Sequence, residues 1–168
     1  MTSGVVGVLL AGGLSRRMGG GDKCLRLLGG QTILSRVVET VRPQVEVLAL
    51  NANGDTRRFA EYGLPVVADT VLGNPGPLAG VLTGMEWAAQ NRPDCQWIAT
   101  MPTDAPFLPT DLVVRLTASL ADTGKEMACA ASGGRHHPVC GLWPVYLRDA
   151  LRDAIMVEGI RKVDVWTG

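Results

Sequence analysis

Short apolar runs alternate with helical stripes along most of the chain. Residues 5–10 are a continuous run of aliphatic and β-branched side chains that stops at Ala11-Gly12-Gly13, a pattern typical of a strand buried on both faces. Comparable runs predict strands at 45–50, 66–68, 97–101, 127–131 and 139–143. Between them, apolar side chains recur every three or four residues and predict helices at 33–41 and 78–89, with Thr32 as a cap for the first and Pro93 just beyond the second.

This alternation predicts parallel strands joined by right-handed crossovers, with helices on both faces of the sheet. We therefore expect an α/β fold, a three-layer α/β/α Rossmann-like arrangement with a mostly parallel sheet, formed by residues 1–168 as a single domain. The segment Ser132-Gly133-Gly134-Arg135 indicates a hairpin, which adds an antiparallel element near the C-terminal end. Apolar residues at helical spacing over 145–166 predict a helical tail.

Composition narrows the class of protein. The 168 residues are 46% hydrophobic, 19% charged and 5% aromatic, as in globular proteins and unlike disordered or acidic tail proteins. Sixteen Lys and Arg balance 16 Asp and Glu, so the net charge is zero. A neutral chain has no global field for a nucleic-acid backbone, and we expect any polyanion to be bound by a local site.

The cysteines and the apolar runs bear on the compartment. Cys24, Cys95, Cys129 and Cys140 are widely spaced and form no C-x-x-C pair, so we interpret them as core thiols and not as zinc ligands or disulfides, which indicates a reducing compartment. No apolar run approaches the roughly 18 residues that span a bilayer. The N-terminus lacks the basic region of a signal peptide, and we expect a cytoplasmic protein with no membrane partner.

The loop after the first predicted strand is rich in glycine and cations. Its glycines allow backbone N–H groups to approach a phosphate, and Arg16, Arg17 and Lys23 supply positive charge. The loop fits neither G-x-x-x-x-G-K-[ST] nor G-x-G-x-x-G, which excludes a P-loop or a dinucleotide fingerprint. The alternative is a surface loop with solvated arginines, but its place after a buried strand favours phosphate binding.

Polar residues follow three other predicted strands. Asp104 lies between prolines at a strand end, where a carboxylate suits Mg²⁺, an ion that takes one or two carboxylates together with phosphate oxygens. The alternative is an Asx-type turn with no metal. Asp69 and Asn51 end two further strands. Because ligands in open α/β sheets bind beyond the carboxyl ends of the strands, the three residues together favour one site over three unrelated caps.

His136 and His137 precede Pro138 on a predicted strand. Adjacent strand residues face opposite sides, so the pair is unsuited to chelating one metal, and at most one histidine is expected to contact a substrate. The alternative is a plain strand edge. No Ser/His/Asp or Cys/His grouping is evident, which disfavours nucleophilic catalysis.

The sequence motifs resemble those of the Rossmann-like nucleotidyltransferases and, within that class, most resemble the MobA family of molybdenum cofactor guanylyltransferases. They occur in family order over nearly the whole chain. The first motif is shared with cytidylyl-transferring relatives, whereas the Asp-x-Pro-Phe-Leu-Pro and His-Pro-Val motifs favour guanylyl transfer. The motifs are Leu10-Ala11-Gly12-Gly13, Arg17-Met18-Gly19, Asp22-Lys23, Asn51-Ala52-Asn53, Pro75-Gly76-Pro77-Leu78-Ala79-Gly80, Asp104-Ala105-Pro106-Phe107-Leu108-Pro109, His137-Pro138-Val139 with Leu142-Trp143, and Gly159-Ile160-Arg161-Lys162-Val163.

The resemblance implies a role for each matching residue. Asp104 matches a position that binds both the nucleotide and Mg²⁺, and Lys23 and Arg17 would offset charge on the leaving pyrophosphate. His137 and Arg161 match acceptor-side positions, for which a solvated hairpin and an exposed helix face are the alternatives. The residues implied to bind the nucleotide are Leu10, Ala11, Gly12, Gly13, Lys23, Asn51, Asp69 and Asp104.

The reaction implied by the resemblance is transfer of GMP from MgGTP to the terminal phosphate of molybdopterin, with release of pyrophosphate. GTP and molybdopterin are then the substrates, and molybdenum-insertion and molybdoenzyme-maturation proteins are the implied partners. Two alternatives stay open: a CTP-dependent molybdopterin cytidylyltransferase or a related transferase, and a non-catalytic nucleotide- or cofactor-binding module.

The C-terminus departs from the family pattern. Family members usually continue to an Asn-x-Asn-Thr-Pro motif, whereas this sequence ends at Trp166-Thr167-Gly168. We interpret the sequence as a truncated chain or the ordered part of one, and a true truncation is expected to impair pterin binding and activity.

Overall fold

The strands form one six-stranded sheet and one small hairpin. The computed structural model describes residues 2–11, 22–73 and 76–168. The order of strands across the large sheet is β5-β4-β1-β6-β8-β7, and β2 pairs with β3 in the hairpin. The strands are β1 Val5–Leu10, β2 Leu27–Leu28, β3 Gln31–Thr32, β4 Val47–Asn51, β5 Val66–Val67, β6 Trp97–Pro102, β7 Ala128–Ser132 and β8 Arg135–Pro144.

The first four strands of the large sheet are parallel, and the last two introduce the antiparallel element. β1 pairs in parallel with β4 and with β6, and β4 pairs in parallel with β5. β8 is antiparallel to both β6 and β7. The predicted hairpin at Ser132-Gly133-Gly134-Arg135 is confirmed, because Ser132 pairs with Arg135. The predicted α/β class and mostly parallel sheet are therefore confirmed.

Helices cover both faces of the sheet. They are α1 Ile33–Val41, α2 Pro77–Asn91, α3 Leu112–Thr123, α4 Arg148–Met156 and α5 Val163–Thr167. The predicted cap of α1 is confirmed, since the Thr32 side chain accepts a hydrogen bond from the Ser35 amide. Alternate residues of β1 enter two cores: Val5 and Leu9 pack with α1 and α3, whereas Val6 and Val8 pack with α2, α4 and α5. This alternation explains why β1 is apolar throughout.

The C-terminal tail is not one continuous helix. It divides into a short 3-10 turn at Val145–Leu147, then α4 and α5. Gly159 lies between the two helices with φ of 69°, in the left-handed region that ends helices. The Trp166 ring of α5 packs on the Trp143 ring of β8, with centroids 6.0 Å apart.

The cysteine prediction is correct for three thiols and wrong for one. Cys24, Cys95 and Cys140 are buried, and all four cysteines are free. Cys129 is exposed, because β7 is the last strand of the sheet and one of its faces is not covered. No helix among the described residues is both long and apolar enough to cross a bilayer.

Candidate active site

The carboxyl ends of the parallel strands form a single edge. Leu10, the last residue of β1, is opposite Asn51 at the end of β4 and opposite Pro102 at the end of β6. Asn51 is in turn opposite Val67 at the end of β5. Loops that follow these strands therefore start side by side, as the sequence predicted for a ligand site.

A hydrogen-bonded cluster joins the loops after β4 and β5. The Asn51 side-chain amide donates to one oxygen of the Asp69 carboxylate at 2.9 Å, and the Asn53 side-chain amide donates to the other at 3.0 Å. Asn53 Oδ1 also accepts from the Asp69 backbone amide at 2.8 Å. The Asn51 amide is shared with the Val67 carbonyl at 3.1 Å, and Asn51 is buried. The two predicted residues, Asn51 and Asp69, are thus in direct contact.

The start of α2 packs against the same cluster. A Cβ atom at Gly80 would lie 2.6 Å from Asn51 Oδ1 and 2.8 Å from Leu10 Cδ2, so only glycine fits here without displacing a neighbour. Gly76 precedes the helix with φ of 82°, and its Cα hydrogen faces the Arg161 carbonyl oxygen, 3.4 Å from a Cβ built at this position. The segment that carries Arg161 therefore lies beside the first turn of α2.

Lys23 and Asp104 meet across the first loop. Lys23 Nζ lies 3.7 Å from Asp104 Oδ2, and about half of each side chain is exposed. Asp104 comes two residues after β6, and Lys23 begins the 3-10 turn Lys23–Leu25. Thr103 donates from its hydroxyl to the Leu10 carbonyl at 3.4 Å, which connects the Asp104 loop to the end of β1.

The half-exposed Asp104 carboxylate is the type of ligand that a hard divalent ion prefers. An accessible carboxylate next to an ammonium group can share a metal with substrate phosphates, the usual arrangement for Mg²⁺ in phosphate-transfer sites. The predicted residues Gly12, Gly13 and Arg17 lie outside the described residues.

The β7–β8 hairpin stands at the same edge of the sheet. β8 pairs with β6 from Gly141 onward, opposite Thr100, so residues 135–138 extend past the end of β6. On this extension, His137 Nε2 lies 2.7 Å from the Ser132 hydroxyl in a hydrogen bond. Among the described residues, no hydrogen bond or ion pair joins His137 on the hairpin to Arg161, whose carbonyl lies beside Gly76 at the start of α2.

Another acidic group lies at the opposite edge, where the strands begin. Ligand atoms of Glu46, Asp94 and Cys95 lie within 4.8 Å of one another. Arg92 already pairs with Glu46 at 2.5 Å and with Asp94 at 2.9 Å. The Gly4 amide and then Arg92 lower the pKa of Glu46, whereas burial raises the pKa of Cys95. This cluster is an internal ion-pair network that fastens the start of β1, through the Gly4 amide, to the loop before β6.

Sequence reasoning missed two contributors at the strand-end site. Asn53 had no assigned role, although its place two residues after Asn51 puts both side chains on the same side of an extended segment. Arg58 also went unnoticed; it pairs with Asp22, which directly precedes Lys23. No local pattern could reveal this second pairing, because the two residues are 36 positions apart.

Comparisons with known proteins identify relatives over nearly the whole chain. A family profile described as "MobA-like NTP transferase domain" matches residues 7–165. The molybdenum cofactor guanylyltransferase of Rhodopseudomonas palustris (strain BisB5) is 56% identical over 160 residues, covering 95% of this chain and 76% of the relative. The protein of the same name from Bradyrhizobium sp. (strain ORS 278) is 55% identical over 166 residues, covering 99% of this chain and 78% of the relative.

Solved structures with the same fold are more distant in sequence. The molybdopterin-guanine dinucleotide biosynthesis protein A of Archaeoglobus fulgidus aligns with a TM-score of 0.71 at 21% identity, over 95% of this chain and 77% of the other. A Mycobacterium tuberculosis H37Rv protein solved as a complex with manganese aligns with a TM-score of 0.63 at 18% identity, over 97% of this chain and 80% of the other. At these identities the likeness concerns the fold.

Proposed function

This chain belongs to the family of MobA-like NTP transferase domains, and from that membership we propose that it transfers GMP from MgGTP to the terminal phosphate of molybdopterin. The products are the molybdopterin guanine dinucleotide and pyrophosphate. The observation that carries the proposal is the 56% identity over 95% of the chain to a molybdenum cofactor guanylyltransferase. The positions of four residues support the proposal. At the edge formed by the carboxyl ends of the parallel strands, Lys23 pairs with Asp104, and Asn51 bonds Asp69.

In the proposed reaction, an oxygen of the acceptor phosphate forms a bond to the α-phosphorus of GTP. The bond between the α-phosphorus and the bridging oxygen breaks, and both bonding electrons leave with pyrophosphate. A phosphate monoester is already anionic at neutral pH, so the acceptor needs no strong general base. Catalysis then rests on alignment and on neutralising phosphate charge.

The proposed roles are those that the family motifs imply for the matching residues. Leu10 and Ala11, the glycines Gly12 and Gly13, and the Asn51–Asp69 pair are proposed to bind the nucleotide. Lys23 and Arg17 offset negative charge on the departing pyrophosphate. Asp104 is the proposed protein ligand of Mg²⁺, which when bound neutralises phosphate charge and polarises the α-phosphate.

The acceptor side is proposed to lie between the β7–β8 hairpin and the start of α2. His137 is on the β7–β8 hairpin, beyond the end of β6, and Arg161 is beside the start of α2. Each residue is proposed to offer a cationic or hydrogen-bonding group to an anionic pterin phosphate.

Pyrophosphate release with GTP, CTP and ATP, each in the presence of molybdopterin, tests the function. The proposal requires turnover with GTP and a clear preference for it. Preference for CTP would make the protein a cytidylyltransferase, and nucleotide binding without turnover would make it a binding module. Asp69→Asn is the matched variant of the wild type, because it keeps the size of the side chain but removes the carboxylate charge to which the Asn51 and Asn53 amides donate hydrogen bonds.

A further inference from the structure

The Arg58 guanidinium connects the end of the glycine-rich loop to the loop after β4. Its Nε donates to Asp22 Oδ2 at 2.5 Å, and its Nη2 lies 3.5 Å from the other Asp22 oxygen. Nη2 also donates to the Asn53 carbonyl at 2.9 Å, and Nη1 donates to the Asp55 carbonyl. The guanidinium carbon lies 4.3 Å from the centre of the buried Phe59 ring, which supports one face of the group.

These contacts link two groups of the proposed site. Asp22 immediately precedes Lys23, whose ammonium faces Asp104. Asn53 holds Asp69 through its side chain while its carbonyl is held by Arg58. One side chain thus contacts both the carboxylate of the residue before Lys23 and the backbone carbonyl of the residue that bonds Asp69.

We propose that Arg58 is a positioning residue for nucleotide binding, which holds Lys23 and Asp69 in register through Asp22 and Asn53. This inference rests on the proposed function for the identity of the nucleotide. Arg58 touches neither substrate nor metal in this scheme and acts only through its neighbours.

Charge gives Arg58 a second effect at the same place. The Asp22 side chain is only 20% exposed and the Arg58 side chain 29%, so the pair is screened less than a surface ion pair. Without Arg58, the Asp22 carboxylate would stand uncompensated next to Lys23, where a triphosphate is proposed to bind. It would then repel the nucleotide and compete for the Lys23 ammonium.

The geometry requires arginine in particular. The planar guanidinium bonds Asp22, Asn53 and Asp55 at once from three nitrogens in a fixed fork. A lysine at the same position keeps the positive charge but offers a single nitrogen, so it can compensate Asp22 without fixing Asn53.

Steady-state kinetics and calorimetry on Arg58→Ala test the inference. We expect the KM and the Kd for GTP to rise about 10-fold, with a smaller fall in kcat and no change in the KM for molybdopterin. Arg58→Lys should give an intermediate loss of about 3-fold. Arg57→Ala is the matched control on the same 3-10 turn, because Arg57 is exposed and its ion pair among the described residues is with Asp55. The GTP affinity of this variant should equal that of the wild type.

A double-mutant cycle with Asp22→Asn separates positioning from general stability. Removing the uncompensated carboxylate in Asp22→Asn/Arg58→Ala should restore part of the GTP affinity lost in Arg58→Ala, so the two effects should not add. Strict additivity overturns the inference. So does an unchanged GTP Kd in Arg58→Ala, or an equal rise in the KM for molybdopterin, which would indicate only a general loss of structure.

Two other outcomes are a variant that does not fold and a wild type that lacks the proposed activity. If Arg58→Ala does not fold, Arg58→Lys replaces it, and an unchanged GTP Kd in that variant overturns the inference. The failure of the proposed function would be visible in the wild type, as turnover with CTP or no turnover. In that case the Kd comparison is made with the nucleotide that the wild type prefers, and the role of Arg58 is still decided by its variants.

Discussion

Gly80 lies where α2 meets the ends of β1 and β4, and Gly80→Ala is predicted to weaken GTP binding while leaving the protein folded. The added Cβ would lie 2.6 Å from Asn51 Oδ1 and 2.8 Å from Leu10 Cδ2. Asn51 cannot easily move away, because it is buried and its amide is held by Val67 and Asp69. The steric clash would therefore disturb the hydrogen bond from Asn51 to Asp69.

Overpacking and the higher helix propensity of alanine have opposite effects on the free energy of unfolding of Gly80→Ala. Overpacking a tight contact costs about 1–3 kcal/mol. Alanine is favoured over glycine in a helix by about 1 kcal/mol, which offsets part of this cost. The net destabilisation is then about 0–2 kcal/mol, or a fall in Tm of no more than about 8 °C for a chain of this size.

The effect on GTP binding should be larger than the effect on stability. Losing a hydrogen bond to a charged group costs about 1.5–3 kcal/mol. Displacing Asn51 removes one such bond from Asp69 within the protein, and GTP binding would have to restore the native arrangement of Asp69, so the Kd for GTP should rise on the order of 10- to 100-fold. Isothermal titration calorimetry gives the Kd, and thermal melting followed by tryptophan fluorescence gives the Tm.

Gly84→Ala is the control, one turn further along α2. Its Cβ would lie 2.9 Å from Val8 Cγ2 and 3.1 Å from Ile98 Cδ1, which are core side chains away from the strand-end edge. A similar change in Tm is expected, with GTP affinity at the wild-type level. Wild-type GTP affinity in Gly80→Ala, or an equal loss in Gly84→Ala, would refute the steric argument.

Three further substitutions test other parts of the site and core. Asp104→Asn should lower pyrophosphate release at least about 100-fold. The Tm should stay near that of the wild type, because the ion pair between Asp104 and Lys23 is half-exposed and contributes roughly 0–1 kcal/mol. Near-normal activity across a Mg²⁺ titration would make Asp104 a turn residue. Arg161→Ala should raise the KM for molybdopterin several-fold and leave the GTP Kd unchanged by calorimetry, and an equal loss of GTP affinity would assign this segment to the nucleotide or to the fold. Burial raises the pKa of the Cys140 thiol from 9.0 to about 11. Above pH 9 the thiol therefore ionises in the unfolded chain while it stays neutral in the folded protein. The contribution of Cys140 to the free energy of unfolding should fall by on the order of 2 kcal/mol between pH 9 and 11. Urea unfolding of wild type and Cys140→Ala across that range measures it, and identical pH slopes would contradict the assignment.

The local pattern of side chains was sufficient for the elements that are buried. Residues 5–10 are apolar throughout because β1 has a core on each face, and the predicted strand matches Val5–Leu10. The sequence also predicted the end of β4 at Asn51 and the α1 cap at Thr32, because a polar residue next to an apolar run marks the point where the buried segment ends or begins. The same reasoning placed Asp69 and Asp104 at strand ends.

The apolar pattern alone did not predict the structure at three places: the start of β8, the C-terminal tail and Cys129. The apolar run at 139–143 covers only the later part of β8, which begins at Arg135, because the first part of β8 pairs with β7 beyond the end of β6 and buries little apolar surface. The predicted tail helix is divided near Gly159, although the apolar spacing continues on both sides. Cys129 looked like a core residue, but the order of strands places it at the sheet margin.

The assembly of the site was decided by tertiary structure. Lys23 and Asp104 are neighbours because β1 lies next to β6 in the sheet, and residue spacing carries no information about strand order. Asp22 meets Arg58 because the glycine-rich loop ends beside the 3-10 turn after β4. Sequence periodicity records which side of an element is buried, whereas the partner of a charged side chain depends on which segments the fold brings within a few ångströms of each other.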